Sequence, residues 1–213
     1  MKDIVVKTLL LGSFLAVGVM AEDRFIGVEV GYDKSILKGN IDDDKAIMSG
    51  KPDDTRANIG FKIGQDLESY RIYGSYVYDT KASESGKISG TNDNYNINWK
   101  KHKLLVGVDF TPELSQNFRA LLGVYTGLAI ANIDLNMPIT SNGITYGGAY
   151  AKNLKGWVVG GKVGGLYDFD EQSELEFGVK AEYTKYKNFD IGSANFKFKE
   201  TAYGPYLGYN YKF

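Results

Sequence analysis

The chain has 213 residues, with 25 Lys and Arg against 26 Asp and Glu, a formal net charge of −1 at pH 7 and no cysteine. Near-neutral charge without a run of basic residues argues against a nucleic-acid partner, and the lack of thiols removes disulfides and cysteine chemistry. Sixteen Tyr and 26 Gly beside only 4 Pro make a strand-and-turn composition.

Lys2 and Lys7 flank the start of the chain, and residues 8–20 are almost uninterruptedly apolar, ending Val19-Met20-Ala21 before Glu22. A charged start, an apolar middle and a small residue at the junction form the pattern of a secretory signal peptide, and the apolar run is too short for a comfortable helical span. Residues 1–21 are therefore expected to be cleaved and residues 22–213 to be the mature protein. With no cysteine near the junction, no lipid anchor is expected. No later stretch reaches the roughly 18–20 apolar residues of a membrane helix, so the mature protein is either soluble or a barrel whose strands alternate and average out.

Eight segments carry a period of two, the signature of a strand with one apolar face. The first, residues 25–33, turns Ile26, Val28, Val30 and Tyr32 outward and Gly27, Glu29 and Gly31 inward. The second, 56–64, sets Ala57, Ile59, Phe61 and Ile63 against Arg56, Asn58, Gly60 and Lys62. The third, 70–79, sets Tyr70, Ile72, Gly74, Tyr76 and Tyr78 against Arg71, Tyr73, Ser75, Val77 and Asp79. The fourth ends with Leu104, Val106, Val108 and Phe110 outward over Lys103, Leu105, Gly107 and Asp109, and Tyr95, Ile97 and Trp99 upstream are assigned to the same outer face.

The fifth segment, 118–130, shows Phe118, Ala120, Leu122, Val124, Thr126 and Leu128 outward over Arg119, Gly123, Tyr125 and Gly127, with Leu121 breaking the polar side. The sixth, 156–169, places Trp157, Val159, Val163, Tyr167 and Phe169 over Gly160, Lys162, Gly164 and Asp168. The seventh, 174–186, has Leu175, Phe177, Val179, Ala181 and Tyr183 against Glu174, Glu176, Gly178, Lys180 and Glu182. The eighth, 203–213, alternates Tyr203, Pro205, Leu207, Tyr209, Tyr211 and Phe213 with small or polar residues. Each approximates the ~9–11 residues that a tilted strand needs to cross a bilayer.

Connections alternate between long (34–55, 80–94, 131–155, 187–200) and short (65–69, 111–117, 170–173). That is the pattern of an outer-membrane barrel with short periplasmic turns and long outer loops. Aromatic residues gather at strand ends: Phe25, Tyr70, Phe110, Phe118, Tyr167, Phe169, Tyr211 and Phe213 near the periplasmic rim, and Tyr32, Tyr76, Tyr78, Trp99, Trp157, Tyr183 and Tyr203 near the outer rim. Two interfacial girdles follow. The expected fold is all-β, a closed eight-stranded antiparallel up-and-down transmembrane barrel.

On these segments the chain resembles the small eight-stranded outer-membrane barrels of Gram-negative bacteria, of the OmpA-transmembrane-domain or OmpX type. The resemblance is one of architecture and covers essentially residues 22–213. The ending Tyr209-Asn210-Tyr211-Lys212-Phe213 is similar to the signal read by the barrel-assembly machinery, which implies that role for Tyr209, Tyr211 and Phe213. In a departure from OmpA, no counterpart of its periplasmic peptidoglycan-binding domain is expected.

The inner faces carry charges of both signs. Arg56, Lys62, Arg71, Lys103, Arg119, Lys162 and Lys180 stand among Asp79, Asp109, Glu174, Glu176 and Glu182. Eight strands leave room inside only for side chains, so these charges must pair or be hydrated. The first reading is a salt-bridged polar plug; the second is a narrow ion or water path gated by re-pairing. Asp42, Asp43, Asp44, Asp53 and Asp54 in the first loop are read as a solvated acidic loop, the other reading being a Ca²⁺ site that bridges lipopolysaccharide.

His102 is the single histidine, and no serine lies two residues from it on its face, so no catalytic site is expected. No cofactor or metal site is expected either. Apolar loop residues (Ile36, Leu37, Ile47, Met48; Met137, Pro138, Ile139, Ile144; Phe189, Ile191, Phe196) either contact a partner or pack on each other as strand extensions. The leading expectation is a structural and adhesion-type envelope protein. Its partners would be outer-membrane lipid and lipopolysaccharide, with a host or envelope protein at the loops. The alternatives are a porin-like channel and, behind it, a lipid-A-modifying enzyme.

Overall fold

An isolated alternating strand leaves one row of backbone groups unpaired at each edge, and closing the sheet on itself removes both edges. The computed structural model describes residues 23–41, 45–46, 53–87, 94–136, 139–141, 144–146, 149–191 and 194–213. Eight long strands follow in order: β1 (Arg24–Ile41), β2 (Asp53–Leu67), β3 (Tyr70–Lys87), β4 (Asn94–Phe110), β5 (Phe118–Asn136), β6 (Ala149–Asp168), β7 (Ser173–Tyr186) and β8 (Ala194–Lys212). Each pairs antiparallel with its neighbours in the chain. β8 returns to β1 from Phe25↔Lys212 to Ile41↔Phe196, which closes the barrel. At the rim, Arg24 and Phe213 exchange backbone hydrogen bonds of 3.2 and 2.9 Å. No helix occurs among the described residues.

Every strand turns an apolar row outward at a common height: Ile26, Val28 and Val30 on β1, Ile59 and Phe61 on β2, Val106 and Val108 on β4, Leu122 and Val124 on β5. Val124 is 65% exposed and Phe61 58%. An apolar belt that encircles the molecule is far larger than any patch a water-soluble monomer tolerates, whereas hydrocarbon solvates it at no cost. The barrel therefore spans a membrane. Tyr70, Phe110, Tyr167, Phe169, Tyr211 and Phe213 border the belt at the rim of short turns, and Tyr32, Tyr76, Trp157 and Tyr203 border it at the outer end, which carries the long connections.

Two aromatic assignments are corrected. Trp99, with Ile97, points into the barrel and is 1% exposed, and Phe25 is likewise 1% exposed. β4 runs without an extra residue, so Ile97 and Trp99 share the inward side of Lys101 and Lys103. The irregularity lies on β3, between Asp79 and Ala82, which pair with Lys101 and Trp99. Phe25 precedes the outward Ile26 and lies under the Arg71 guanidinium, 5.0 Å from its ring centre. The side chain of Tyr95 falls outside the described residues.

Strand length is the second departure from the sequence reading. Strands of 14 to 20 residues exceed what a bilayer crossing requires, and the surplus lies at the outer end. Much of what reads as long loop is thus continuous sheet, with β1 and β8 still paired at Asn40 and Lys197. Residues 42–44, 47–52, 88–93, 137–138, 142–143, 147–148 and 192–193 lie outside the description. With them go Asp42, Asp43, Asp44, Ile47, Met48, Met137 and Pro138. A small hairpin, Ile139–Ser141 with Ile144–Tyr146, the short strand Phe189–Ile191 on β8 and the two residues Lys45–Ala46 paired with the end of β1 complete the described part of this end.

The strands approach closely where two glycines face each other. A Cβ on Gly164 of β6 would stand 1.9 Å from the Phe177 carbonyl oxygen, and one on Gly178 of β7 would stand 2.3 Å from that of Val163. These two residues are paired in register. At the short-turn rim, Leu67 pairs with Tyr70 around a two-residue loop whose first residue, Glu68, has φ of 58°. A positive φ there favours glycine. Glu68→Gly is accordingly expected to stabilise the barrel by up to about 1 kcal/mol, read as a raised urea midpoint with an unchanged slope.

Candidate functional site: the barrel lumen

Inward-facing side chains of all eight strands fill the lumen in layers. In the layer nearer the short turns, Glu176 of β7 is fully buried. It accepts hydrogen bonds from Lys62 (2.6 Å), Arg71 (2.7 Å), Lys162 (2.9 Å) and Asn210 (3.2 Å). Arg71 reaches further, to Glu174 at 2.6 Å and Asp109 at 2.9 Å, and Lys162 also meets Asp109 at 3.0 Å. Below them Arg119 joins Asp66 at 2.9 Å and pairs with Glu174, and Lys212 pairs with Asp168.

The second layer lies toward the outer end. Arg56 pairs with Asp79 at 2.9 Å and with Glu200, and Lys103 bridges Asp79 (3.0 Å) and Glu182 (2.9 Å). Lys101 touches Glu182 at 2.8 Å, Glu200 at 3.2 Å and Asp79 at 3.4 Å. Three cations thus face three carboxylates, all essentially without solvent contact. Ser35 donates to Glu200 at 2.7 Å and receives the Trp99 indole N–H at 3.3 Å.

Between the two layers sits a band of rings and aliphatic groups, Val77, Leu105, Tyr125, Ala129 and Val158. Lys162 lies 4.5 Å above the Tyr73 ring, and Lys180, paired with Glu29 at 2.7 Å, lies 5.6 Å from that of Tyr206. A small space remains here, lined by Lys62, Lys103, Lys162, Lys180, Glu182 and Tyr125 among others, of about 30 Å³. That is room for ordered water and not for a larger solute. Above the outer charge layer, Leu37, Ala82, Ile97, Trp99, Ala131, Ile133, Leu154, Tyr186 and Phe198 pack into an apolar plug.

All twelve charged residues singled out from the sequence lie inside, divided between these layers: Lys62, Arg71, Asp109, Arg119, Lys162, Glu174, Glu176 and Lys180 in or just above the first, and Arg56, Asp79, Lys103 and Glu182 in the second. Sequence reasoning missed Lys101, Glu200, Asp66, Glu29 and Asp33 as network members. Glu200 falls at the end of the connection 187–200, whereas Lys101 falls within the fourth segment, on the face assigned to Tyr95, Ile97 and Trp99. Extending the inward parity of Lys103 by one step, and that of Ala202 by one, reaches both.

Most of these charges are held by opposite charges and have little solvent contact, so moving an ion through would require breaking several contacts together. His102 is on the outer face instead, its Nδ1 2.7 Å from the Tyr76 hydroxyl and its ring 4.9 Å from that of Tyr78. Asp53 pairs with Lys34 at 2.9 Å, and Asp54 accepts the backbone N–H groups of Thr55 and Ser83, both at 2.7 Å. Tyr209, Tyr211 and Phe213 line the short-turn rim facing outward.

No protein-family model and no curated protein sequence matches the chain. Solved structures similar to it include small outer-membrane barrels. Neisserial surface protein A aligns over 89% of this chain and 97% of its own at 12% identity, with a TM-score of 0.47. Outer membrane protein H of P. aeruginosa aligns over 90% and 99% at 20% identity, TM-score 0.46. Ail, the attachment invasion locus protein of Yersinia pestis, solved with the heparin analogue sucrose octasulfate, aligns over 86% and 99% at 11% identity, TM-score 0.43.

Proposed function

We propose that the protein is a closed anchor in the outer membrane of a Gram-negative envelope, exported with loss of residues 1–21 and acting through the surface it raises beyond the bilayer rather than through its lumen. The observation that carries this reading is the filled interior: two ion-pair layers, a residual space of only about 30 Å³ between them and an apolar plug above. Strands that continue past the outer aromatic belt support the second half. From the belt residue Tyr32, β1 runs on to Ile41, which lifts its end roughly 20 Å along the barrel axis. A rigid sheet of this height presents its connecting segments to other molecules. The engagement of His102 by tyrosines rather than by a serine supports a non-catalytic role.

Tyr209, Tyr211 and Phe213 are proposed to be the residues read by the assembly machinery, because they stand together on the last strand at the rim where β8 meets β1. The deciding experiment takes protein purified from outer-membrane fractions, whose intact mass is expected to correspond to a start at Glu22, and places it in planar bilayers. Long closed periods with at most small, brief conductance steps are expected. A large, steady, porin-like current would overturn the anchor in favour of the narrow-channel reading, for which re-pairing of Arg71 among its three carboxylates is the natural gate.

A further inference from the structure

The outward face of β6, β7, β8 and β1, rising from the outer aromatic belt at Trp157 along the strand extensions, gathers like charges that no single segment of the sequence displays. Lys185 of β7 lies directly opposite Lys199 of β8, and Lys199 directly opposite Lys38 of β1. On the other side Lys185 shares a rung with Trp157 of β6, and the backbone N–H of Lys187 donates to the carbonyl of Lys155 at 2.8 Å. All five lysines are exposed, and among the described residues none of them makes an ion pair. Lys34, further along this face, differs in being matched by Asp53.

Like charges directly opposite on adjacent strands destabilise a sheet. A row of three with two more beside it calls for an anion from outside. The ladder also borders a shallow, open depression, with Leu128 and Trp157 at its lower, lipid-facing side and Lys155, Lys185 and Lys187 above. A second depression, of about 290 Å³ and bounded by Lys185 and Lys199, adjoins it through Tyr186 and Asn188. The combination is amphipathic in the direction of the membrane normal: apolar where acyl chains lie, cationic at the depth of headgroup phosphates.

We propose that this face is a binding site for a phosphorylated glycolipid of the outer leaflet, its phosphates held among Lys155, Lys185, Lys187 and Lys199 and an acyl chain lying along Leu128 and Trp157. Lysine is suited to this position because its stem packs on apolar surface while the ammonium reaches the phosphate layer. The inference rests on the membrane-anchor reading, since it requires this face to meet lipid.

The test uses the mature protein refolded in phosphatidylcholine nanodiscs doped with bis-phosphorylated lipid A, dephosphorylated lipid A or phosphatidylglycerol, with retained lipid counted by native mass spectrometry. The wild type is expected to hold bis-phosphorylated lipid A at least about tenfold more tightly than the variant carrying Lys155→Gln, Lys185→Gln, Lys187→Gln and Lys199→Gln. The control variant Lys81→Gln/Lys100→Gln, whose lysines are exposed on β3 and β4, should match the wild type. Equal retention by the fourfold variant, or equal competition by phosphatidylglycerol or inorganic phosphate, would overturn the site. A second readout has the opposite sign: in lipid-A-free zwitterionic micelles Lys185→Gln should melt roughly 1–3 °C above the wild type, because repulsion is relieved. Unchanged melting there would equally count against it. Failure of the anchor reading looks different: Trp157 would then escape quenching by brominated acyl chains whatever the lysines do.

Discussion

Glu176→Ala is expected to lower the stability of the folded barrel by about 3–5 kcal/mol, the loss typical of stranding buried charges. The carboxylate is the hub of the inner network, and its removal takes an anion from Lys62, Arg71 and Lys162 at once. Arg71 retains Glu174 and Asp109, and Lys162 retains Asp109, but the next carboxylate to Lys62 is that of Glu29 at 3.9 Å. Lys62 therefore suffers most. Urea unfolding followed on unboiled gels, where folded and unfolded barrels migrate apart, measures the loss. Adding Lys62→Met to Glu176→Ala should recover a large part of it, since the stranded cation goes with its partner. A loss below about 1 kcal/mol would mean that water enters the lumen freely and screens these charges, which would also weaken the closed-anchor reading.

Trp99→Ala is expected to cost a comparable 3–5 kcal/mol, because it empties the largest fully buried side chain of the outer plug. The indole N–H bond to Ser35 is lost with it, and Ser35 is one of the donors to Glu200, beside Arg56, Lys101 and Tyr186, in the outer charge layer. The chain has only two tryptophans, and they face opposite ways: Trp99 is 1% exposed and Trp157 is 47% exposed. Brominated acyl chains should accordingly quench Trp157 strongly and leave Trp99 nearly untouched, so the quenchable fraction rises in the Trp99→Ala protein. A cost near zero together with full quenching of Trp99 would return that residue to the lipid face.

Trp99 also shows where a local reading fails. An aromatic residue near the outer end of a strand fits an interfacial girdle, and composition favours that assignment. Its position relative to Leu104 decides otherwise, since an odd-numbered residue cannot share a face with even-numbered ones unless a residue is inserted between them. The inserted residue is on β3, and its effect is to bring Ala82 into the plug beside Trp99. The strand ends were misjudged for a related reason. Beyond the belt the outward residues turn polar, as with Asn96, Asn98 and Lys100 on β4, so the apolar alternation that marks a lipid-facing strand fades although the hydrogen-bonded ladder continues.

By itself the sequence determined the number of membrane-crossing segments, the side of each that meets lipid and the alternation of short and long connections. Each of these is a property of one strand and its immediate neighbours, written in a two-residue period that survives without knowledge of partners. Only the tertiary structure decided which charges meet. Arg71 and Glu174 are 103 positions apart, and their contact depends on the stagger accumulated around the closed sheet. The same closure sets Lys38, Lys199 and Lys185 side by side, a cationic ladder that exists only once β8 has paired with β1 and β7.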